Sequence, residues 1–235
     1  MKKLSIIIPC FNEAKNLPLL IARCKEVVSN KKNIEIIIVD NGSIDNSETV
    51  LDELIVNLDF IKRVKIKVNK GYGYGILKGL SAASGEVLGW THADMQTDLG
   101  DIFKGLVFFN QSPNSDNLFV KGLRHGRPIS DVFFTMGMSI FETLLLRKPM
   151  WDINSQPTMF TRQFFMTWNN PPNDFSLDLF AYYMALKSGL EVKRFPVVFS
   201  KRAYGVSKWN VNISSKYRFI KRTLVFSFEL RRRLK

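Results

Sequence analysis

Residues 4–9, L-S-I-I-I-P, and residues 34–40, I-E-I-I-I-V-D, decide the fold of this 235-residue chain. Both are short runs rich in β-branched residues, which is typical of strands buried on both faces of a parallel sheet. Between them, residues 14–30 repeat apolar side chains at helical spacing. Strand, helix and strand in succession predict a βαβ unit, in which the two strands lie parallel.

The same pattern then repeats along the first half of the chain. It predicts a helix over 48–57, a strand over 64–68, a glycine-rich entry to a helix over 71–83 and a strand over 86–90. The fold class is therefore α/β, with a doubly wound, mostly parallel central sheet flanked by helices. Such sheets bind ligands outside the carboxyl ends of their strands.

The second half is less regular, and four elements are predicted in it. They are a strand over 119–124 that leads to a basic loop, a buried helix over 131–146, an amphipathic helix over 173–190 and a strand over 191–202. No linker or repeat separates the halves, so one domain is expected over 1–210. A basic amphipathic helix over 211–235 follows it, with Ile213, Tyr217, Ile220, Leu224 and Phe228 on one face.

The net charge of +13 is concentrated at the carboxyl end of the chain. Residues 201–235 hold 11 Lys and Arg against one acid, Glu229, which is +10 of the total. A basic segment predicts an anionic partner, such as a membrane surface, a nucleic acid or a phosphorylated substrate. The near-balanced first 200 residues argue against a nucleic-acid-binding protein, whose basic groups would be spread over the fold.

Two cysteines in apolar settings, Cys10 and Cys24, predict no disulfide framework and favour a reduced cytosolic protein. The apolar run near the N-terminus is too short for a signal peptide. We expect no membrane-spanning stretch, because the longest candidate, 132–146, is interrupted by Glu142.

Polar loops follow three predicted strands, at 9–13, 40–45 and 91–98. The third reads T-H-A-D-M-Q-T-D. If the strand continues into this loop, alternation points His92, Asp94 and Gln96 to one side. Because the three strand ends meet at one edge of the sheet, their convergence predicts a binding site there more strongly than any single motif does.

Four segments carry a resemblance to a known family: I-I-I-P-C-F-N-E (6–13), I-I-V-D-N-G-S-I-D (37–45), N-K-G-Y-G (69–73) and H-A-D-M-Q (92–96). In this order and spacing the chain resembles a family 2 glycosyltransferase of the GT-A type. The segment K-R-A-Y-G-V-S-K-W (201–209) resembles the R-x-x-G-x-S-K segment of the dolichyl- and polyprenyl-phosphate mannosyltransferase-like branch.

The resemblance implies a site for a GDP- or UDP-linked sugar. The residues implied to contact it are Pro9, Phe11, Asn12, Glu13, Val39, Asp40, Asn41, Lys70, Gly71, His92 and Ala93. Asn41 stands where the family usually has an acid, and an amide both accepts and donates hydrogen bonds. Residues 40–43 also fit a simple turn and helix cap. The run G-Y-G-Y-G lacks the P-loop pattern and favours close packing of a helix on the sheet.

The resemblance also implies Mg²⁺ or Mn²⁺, because Asp94 and Gln96 match the second acid and the Gln of the family's D-x-D-x-Q motif. His92 replaces the first acid. It either binds the metal, which favours Mn²⁺, or contacts ribose or phosphate. Asp98 is a further ligand or, more simply, a cap for the helix that begins near Leu99.

Arg124, Arg202 and Lys208 are implied to contact the leaving diphosphate and the acceptor phosphate, since guanidinium pairs well with phosphate oxygens. Arg127 and Lys201 are expected to be solvated. Asp178 is the favoured candidate for a general base, ahead of Asp152 and Asp174. A polyprenyl phosphate acceptor is already anionic and would leave Asp178 an orienting role only.

The reaction implied is inverting transfer of a sugar to a lipid phosphate, by a protein peripheral to the cytoplasmic face of a membrane. Two alternatives stay open. One is transfer to a sugar or other hydroxyl acceptor in cell-surface polysaccharide synthesis, and the other is an inactive domain that binds sugar nucleotides. The apolar stripe of the C-terminal helix either lies on an anionic bilayer or packs on the catalytic domain.

Overall fold

The computed structural model describes residues 3–29, 31–205 and 213–233, with no side chains described over 213–219. Its strands are β1 (Leu4–Cys10), β2 (Ile34–Asn41), β3 (Ile61–Ile66), β4 (Val87–Trp90), β5 (Leu118–His125), β6 (Thr158–Thr161) and β7 (Glu191–Val198). Its α-helices are α1 (Leu17–Val28), α2 (Ser47–Leu54), α3 (Tyr72–Ala82), α4 (Asp101–Gln111), α5 (Ile129–Leu146), α6 (Arg162–Met166), α7 (Leu177–Lys187) and α8 (Ile213–Arg232). Every element predicted from the sequence is present, with ends shifted by a few residues.

The strands form one sheet in the order β3-β2-β1-β4-β6-β5-β7. β1 pairs in parallel with β2 on one side and β4 on the other, and β2 pairs in parallel with β3. β6 runs antiparallel to both of its neighbours, whereas β5 and β7 are parallel. The mostly parallel α/β sheet that the sequence predicts is therefore confirmed.

Helices cover both faces of the sheet, which explains the continuous apolar strands. Along β1, Ile6 and Ile8 enter one core with α1 and α4, whereas Ile7 enters the opposite core with α3 and α7. α3 lies so close to the sheet that a Cβ on Gly79 would stand 2.5 Å from Ile7 Cγ2. Gly75 lies against the Asn41 side chain at the end of β2, so it fits the expected helix–sheet packing, whereas a Cβ on Gly71 or Gly73 would meet the backbone of residues 172–174 instead.

Two helix assignments of the second half need correction. α5 is not a buried helix, because Phe133 is 63% exposed and Leu144 is 73% exposed. α7 is not amphipathic, because eight of its eleven residues are buried and they surround the helix. Hydrophobic periodicity shows that a helix is apolar. It does not show whether the apolar side chains lie inside the core or on an exposed surface.

α5 also bears on the expectation that no stretch is long and apolar enough to span a membrane. Within the described part of the chain, α5 is the one helix that is long and apolar enough to cross a bilayer by length and composition, and 22% of it is buried. Glu142 does not interrupt this helix, because its side chain turns inward and is fully buried.

α8 packs on α5, and Phe228 of the predicted stripe contacts Phe141 of α5 with 6.3 Å between ring centroids. Phe226, Ser227 and Leu230 are buried, whereas Phe228 is 49% exposed. One face of α8 therefore packs on the domain, and the binding of the stripe to a bilayer stays a prediction.

A buried hydrogen bond joins α5 to α8. The Ser227 hydroxyl lies 2.6 Å from Glu142 Oε1 and 2.8 Å from the Thr223 carbonyl oxygen. The hydroxyl of Ser227 is thus within donor distance of both oxygens, and its hydrogen bond to Glu142 crosses from α8 to α5. Burial raises the pKa of this carboxyl to about 7, against the opposing effect of the Ser227 hydrogen bond.

We expect the protonated Glu142 to make folding stability depend on pH. Its pKa is higher in the folded than in the unfolded chain, so its contribution is fully present below about pH 4.5 and is lost as the pH rises towards about 7. Glu142→Gln keeps a donor at this position and removes the titration. The free energy of unfolding, measured with urea, should fall by about 2 to 3 kcal/mol more in the wild type than in the variant over this range. Parallel curves for the two proteins would contradict a buried neutral Glu142.

Candidate donor and metal site

The loops after β1 and β2 are joined by hydrogen bonds at the carboxyl edge of the sheet. The Asn12 amide donates to Ser43 Oγ at 3.0 Å, and Asn12 Oδ1 accepts from the Ile44 amide at 2.9 Å. Glu13 donates its backbone N–H to Ser47 Oγ at 2.9 Å. Asn12 holds a left-handed backbone, φ 58°, which turns the chain out of β1. The predicted meeting of these two loops is therefore observed.

Asp40 and Asn41 end β2 side by side, and both are buried. Asp40 Oδ1 accepts from the Ser43 amide at 3.0 Å, so the turn expected from the sequence is present. Asn41 Nδ2 donates to the Gly71 carbonyl at 2.8 Å, whereas its Oδ1 has no partner among the described residues. The donor group of the Asn41 amide is therefore occupied, and its oxygen is the group left to accept a hydrogen bond.

The third loop does not continue the strand. β4 ends at Trp90, and Met95 has a left-handed φ of 58°, so simple alternation does not apply to residues 92–96. Asp94 and Gln96 nevertheless converge through one partner. Arg202 approaches Asp94 Oδ2 at 2.8 Å, and its Nε donates to Gln96 Oε1 at 3.1 Å.

The contact that His92 makes is with an aromatic ring and not with the oxygens of Asp94 and Gln96. Its ring packs on Tyr72, with 5.7 Å between ring centroids, and Tyr72 stacks in turn on Phe175 at 4.5 Å. Ala93 is buried in the core between β1 and α1. A role for His92 as a metal ligand stays a prediction.

The oxygens of Asp94 and Gln96 suit a hard divalent cation. Within the described residues there is no cluster of three or more His, Cys, Asp or Glu side chains that could hold a metal. One carboxylate and one amide oxygen match the sparse protein ligation of Mg²⁺ that relies on substrate phosphates for the remainder. In this structure the guanidinium of Arg202 lies in front of these oxygens.

Other predicted contacts lie around the same edge. Pro9 and Phe11 are half-buried at the end of β1, Val39 is fully buried in β2, and Lys70 is exposed beside Tyr74. Asp98 has different hydrogen-bond partners from Asp94. It accepts two hydrogen bonds from Arg23 and one from the Gly100 amide, just before α4. Lys208 lies outside the described residues.

A buried carboxylate, Asp152, organises the basic groups of the second half. Arg124 donates to it from the backbone N at 3.0 Å and from Nε at 2.9 Å. Arg127 Nη2 and Arg194 Nη2 approach the same carboxylate at 3.5 and 3.9 Å. Burial raises the pKa of Asp152, but the Arg124 hydrogen bonds and positive charge outweigh it and leave the pKa below its usual range.

This cluster corrects the expectation for Arg127, whose side chain is 6% exposed rather than solvated. Sequence reasoning considered Asp152 only as a weak candidate base, and it missed Arg194. The sequence gives only a weak indication of this cluster, namely that Asp152 is an acid beside Trp151 in an otherwise basic and apolar stretch. The paired residues extend from Arg124 to Arg194, and charge pairs between such distant residues leave no local pattern in the sequence.

Asp178 belongs to a buried hydrogen-bond network at the start of α7. Its Oδ1 accepts from Gln156 Nε2 at 2.8 Å and from Trp90 Nε1 at 3.2 Å. Nearby Lys121 is fully buried, and desolvation lowers the pKa of its amine to about 7. Asp178 is therefore held in place by Trp90 of β4 and by Gln156 in the loop before β6.

With this geometry in view, comparison with known proteins identifies the class. The chain belongs to glycosyl transferase family 2, whose profile matches residues 5–172. Two curated relatives are undecaprenyl-phosphate 4-deoxy-4-formamido-L-arabinose transferases from Proteus mirabilis and Yersinia enterocolitica. They are 34% and 36% identical over 102 residues, which cover 41% of this chain and 30% of each relative's length.

Solved structures share the fold at low sequence identity. A mannosyltransferase from Pyrobaculum calidifontis, in complex with GDP-mannose and Mn²⁺, has a TM-score of 0.66 at 16% identity, over 87% of this chain and 58% of the other. Glucosyl-3-phosphoglycerate synthase from Mycobacterium tuberculosis, with Mn²⁺ and UDP, has a TM-score of 0.71 at 14% identity, over 98% and 80%. The predicted GT-A fold class is thus confirmed.

Removing the carboxylate of Asp152 should destabilise the second half of the fold. Asp152→Ala leaves buried guanidinium groups without their counter-charge, and breaking such a pair costs about 3 to 5 kcal/mol. Urea unfolding should show a large drop in midpoint. Glu191→Ala, which removes an acid from the exposed Lys193 pair, is the matched control and should change it little. Equal effects of the two variants would show that Asp152 is not the centre of the cluster.

Proposed function

We propose that this chain is an inverting glycosyltransferase that moves a sugar from a nucleoside-diphosphate sugar to a polyprenyl phosphate, with Mg²⁺ or Mn²⁺. The observation that carries the proposal is the convergence of three polar loops at one sheet edge, where the Asp94 and Gln96 oxygens face a cation. Family membership and the printed activity of the curated relatives support it.

On the donor side, the joined loops after β1 and β2 provide acceptors for the nucleoside. Asn41 presents a carbonyl oxygen, and Asp40 keeps one carboxylate oxygen beyond its turn contact with Ser43. Acceptors in this position favour a base with N–H groups, as in both uracil and guanine. His92, whose ring packs on Tyr72, is proposed to contact the donor as well.

Asp94 and Gln96 would hold the metal, with His92 as a further candidate. When bound, the metal offsets the negative charge that develops on the departing nucleoside diphosphate. Arg202, already at this position, supplies a second positive group that reaches phosphate oxygens by its planar fork. Lys208 is proposed to act on the same phosphates.

The acceptor side is favoured for an anionic nucleophile. Arg124 is proposed to bind the acceptor phosphate. Its hydrogen bond to Asp152 fixes the orientation of its guanidinium. Asp178 accepts two buried hydrogen bonds, which suits an orienting role more than proton abstraction. A phosphate acceptor needs no strong base, so this arrangement favours it over a hydroxyl acceptor.

An exposed apolar surface supports a membrane-bound acceptor. Phe133, Ile140 and Leu144 of α5 are more than half exposed, and Val225 and Phe228 of α8 are about half exposed. Exposed arginines, Arg231 to Arg233, end α8 beside them. Apolar side chains next to basic groups suit an anionic bilayer surface. We propose peripheral binding through this α5–α8 surface at the cytoplasmic face of a membrane.

The proposal is tested by sugar transfer from UDP- and GDP-sugars to undecaprenyl phosphate in anionic lipid vesicles with Mn²⁺. Asp94→Ala should lower transfer by at least about a hundredfold, as losses of charge-stabilising groups do. Asp98→Ala is the matched control, since it removes a carboxylate from the same loop that pairs with Arg23 instead. It should keep nearly full activity.

Two outcomes would contradict the proposal. Transfer by Asp94→Ala at the wild-type rate would show that the site is misassigned. Absence of transfer to lipid phosphate, together with transfer to sugar hydroxyls that Asp178→Asn abolishes, would replace the acceptor with a hydroxyl.

A further inference from the structure

The segment after β7 lies across the carboxyl edge of the sheet, and we refer to residues 199–205 as the basic strap. Its Phe199 amide donates to the His125 carbonyl at 2.9 Å. Gln96 and Ser200 exchange two hydrogen bonds, from the Ser200 amide at 2.7 Å and from Gln96 Nε2 at 3.2 Å. Near the end of the strap, Asn16 Nδ2 donates to the Tyr204 carbonyl at 3.4 Å.

The basic strap contacts both halves of the proposed site. Phe199 lies under the Arg124 guanidinium, 5.2 Å from its ring centroid. Arg202 holds Asp94 and Gln96. The strap therefore covers the proposed metal ligands and the proposed acceptor arginine together.

Arg202 uses the same oxygens that the metal needs. Its guanidinium lies 2.8 Å from Asp94 Oδ2, while Nε donates to Gln96 Oε1 at 3.1 Å. The Asp94 side chain is 6% exposed and that of Arg202 is 26% exposed, so water screens this pair little. A guanidinium and a divalent ion cannot both occupy the space in front of these two oxygens.

We propose that Arg202 is an internal cation that competes with the divalent metal for Asp94 and Gln96. The metal binds when Arg202 leaves, and the diphosphate of the donor gives the released guanidinium a new anionic partner. Metal and nucleotide therefore bind with positive coupling, and metal alone binds weakly. This inference rests on the proposed function, because it needs the metal at Asp94.

The physical basis is a population shift. A ligand whose site is free only in a minor fraction of molecules binds more weakly by that fraction. Removing Arg202 frees the site and removes this penalty. Coupling between two ligands is reciprocal, so the nucleotide should tighten metal binding as much as the metal tightens nucleotide binding.

The test measures Mn²⁺ affinity directly, from the electron paramagnetic resonance signal of free Mn²⁺, without nucleotide and with UDP or GDP. Without nucleotide, Arg202→Ala should bind Mn²⁺ about tenfold more tightly than wild type, a change of about 1.4 kcal/mol. With nucleoside diphosphate, the wild type should gain much more affinity than this variant. Arg202→Lys, which keeps the charge without the planar fork, should lie between them.

Lys201→Ala is the matched control, since it removes one positive charge from the exposed neighbouring position of the strap. Its Mn²⁺ affinity should stay within about twofold of wild type, as expected for a screened surface charge. Asp94→Ala defines the site and should abolish the nucleotide-dependent binding.

The outcomes separate this inference from the proposed function. Asp94-dependent Mn²⁺ binding that Arg202→Ala leaves unchanged or weakens would overturn the competition alone. No Asp94-dependent binding in any variant, with or without nucleotide, would overturn the metal site and the competition with it.

Discussion

The parallel pairing of β1 with both β2 and β4 is the constraint on which the site depends. Register aligns Cys10 with Asp40 and Ile7 with Trp90, so the loops after these three strands leave the sheet at one edge. The polar side chains that follow lie in different parts of the sequence, yet they meet because their strands are neighbours. Burial of both sheet faces then prevents the strands from shifting register.

The second half adds charge to this edge. Asp152 compensates guanidinium groups from β5, the loop before α5 and β7 in a buried cluster, and it holds Arg124 where its guanidinium lies over the Phe199 ring. Glu142 joins α5 to α8 by a buried hydrogen bond with Ser227. The positive side of the site and the exposed apolar α5–α8 surface are therefore parts of one packed arrangement.

The first half of the fold could be predicted from sequence because its signals are local. Runs such as 34–40, helical spacing over 14–30 and polar residues at strand ends gave the sheet and the position of Asp94. The orientation of the Asn41 side chain depends on the Gly71 carbonyl, a contact that no spacing in the sequence reveals.

What the sequence did not predict depends on distant partners. Arg127 was expected to be solvated, but its side chain is buried and pairs with Asp152, which lies 25 residues further along the chain. α5 was predicted to be a core helix because its composition is apolar. Most of it is exposed, since exposure depends on which elements pack around a helix. Arg202 was expected to contact phosphate. Its contact with Asp94 and Gln96 arises because the basic strap follows β7 and crosses residues 91–98, which the sequence does not show.

The most direct measurement of the central claim is a crystal structure of the chain with Mn²⁺ and a nucleoside diphosphate, with the metal located by anomalous scattering. The account predicts a single strong peak within bonding distance of the Asp94 carboxylate, at the meeting point of the three loops, with Arg202 moved onto the phosphates. A peak remote from Asp94, or a nucleotide bound away from the edge formed by β1, β2 and β4, would contradict it.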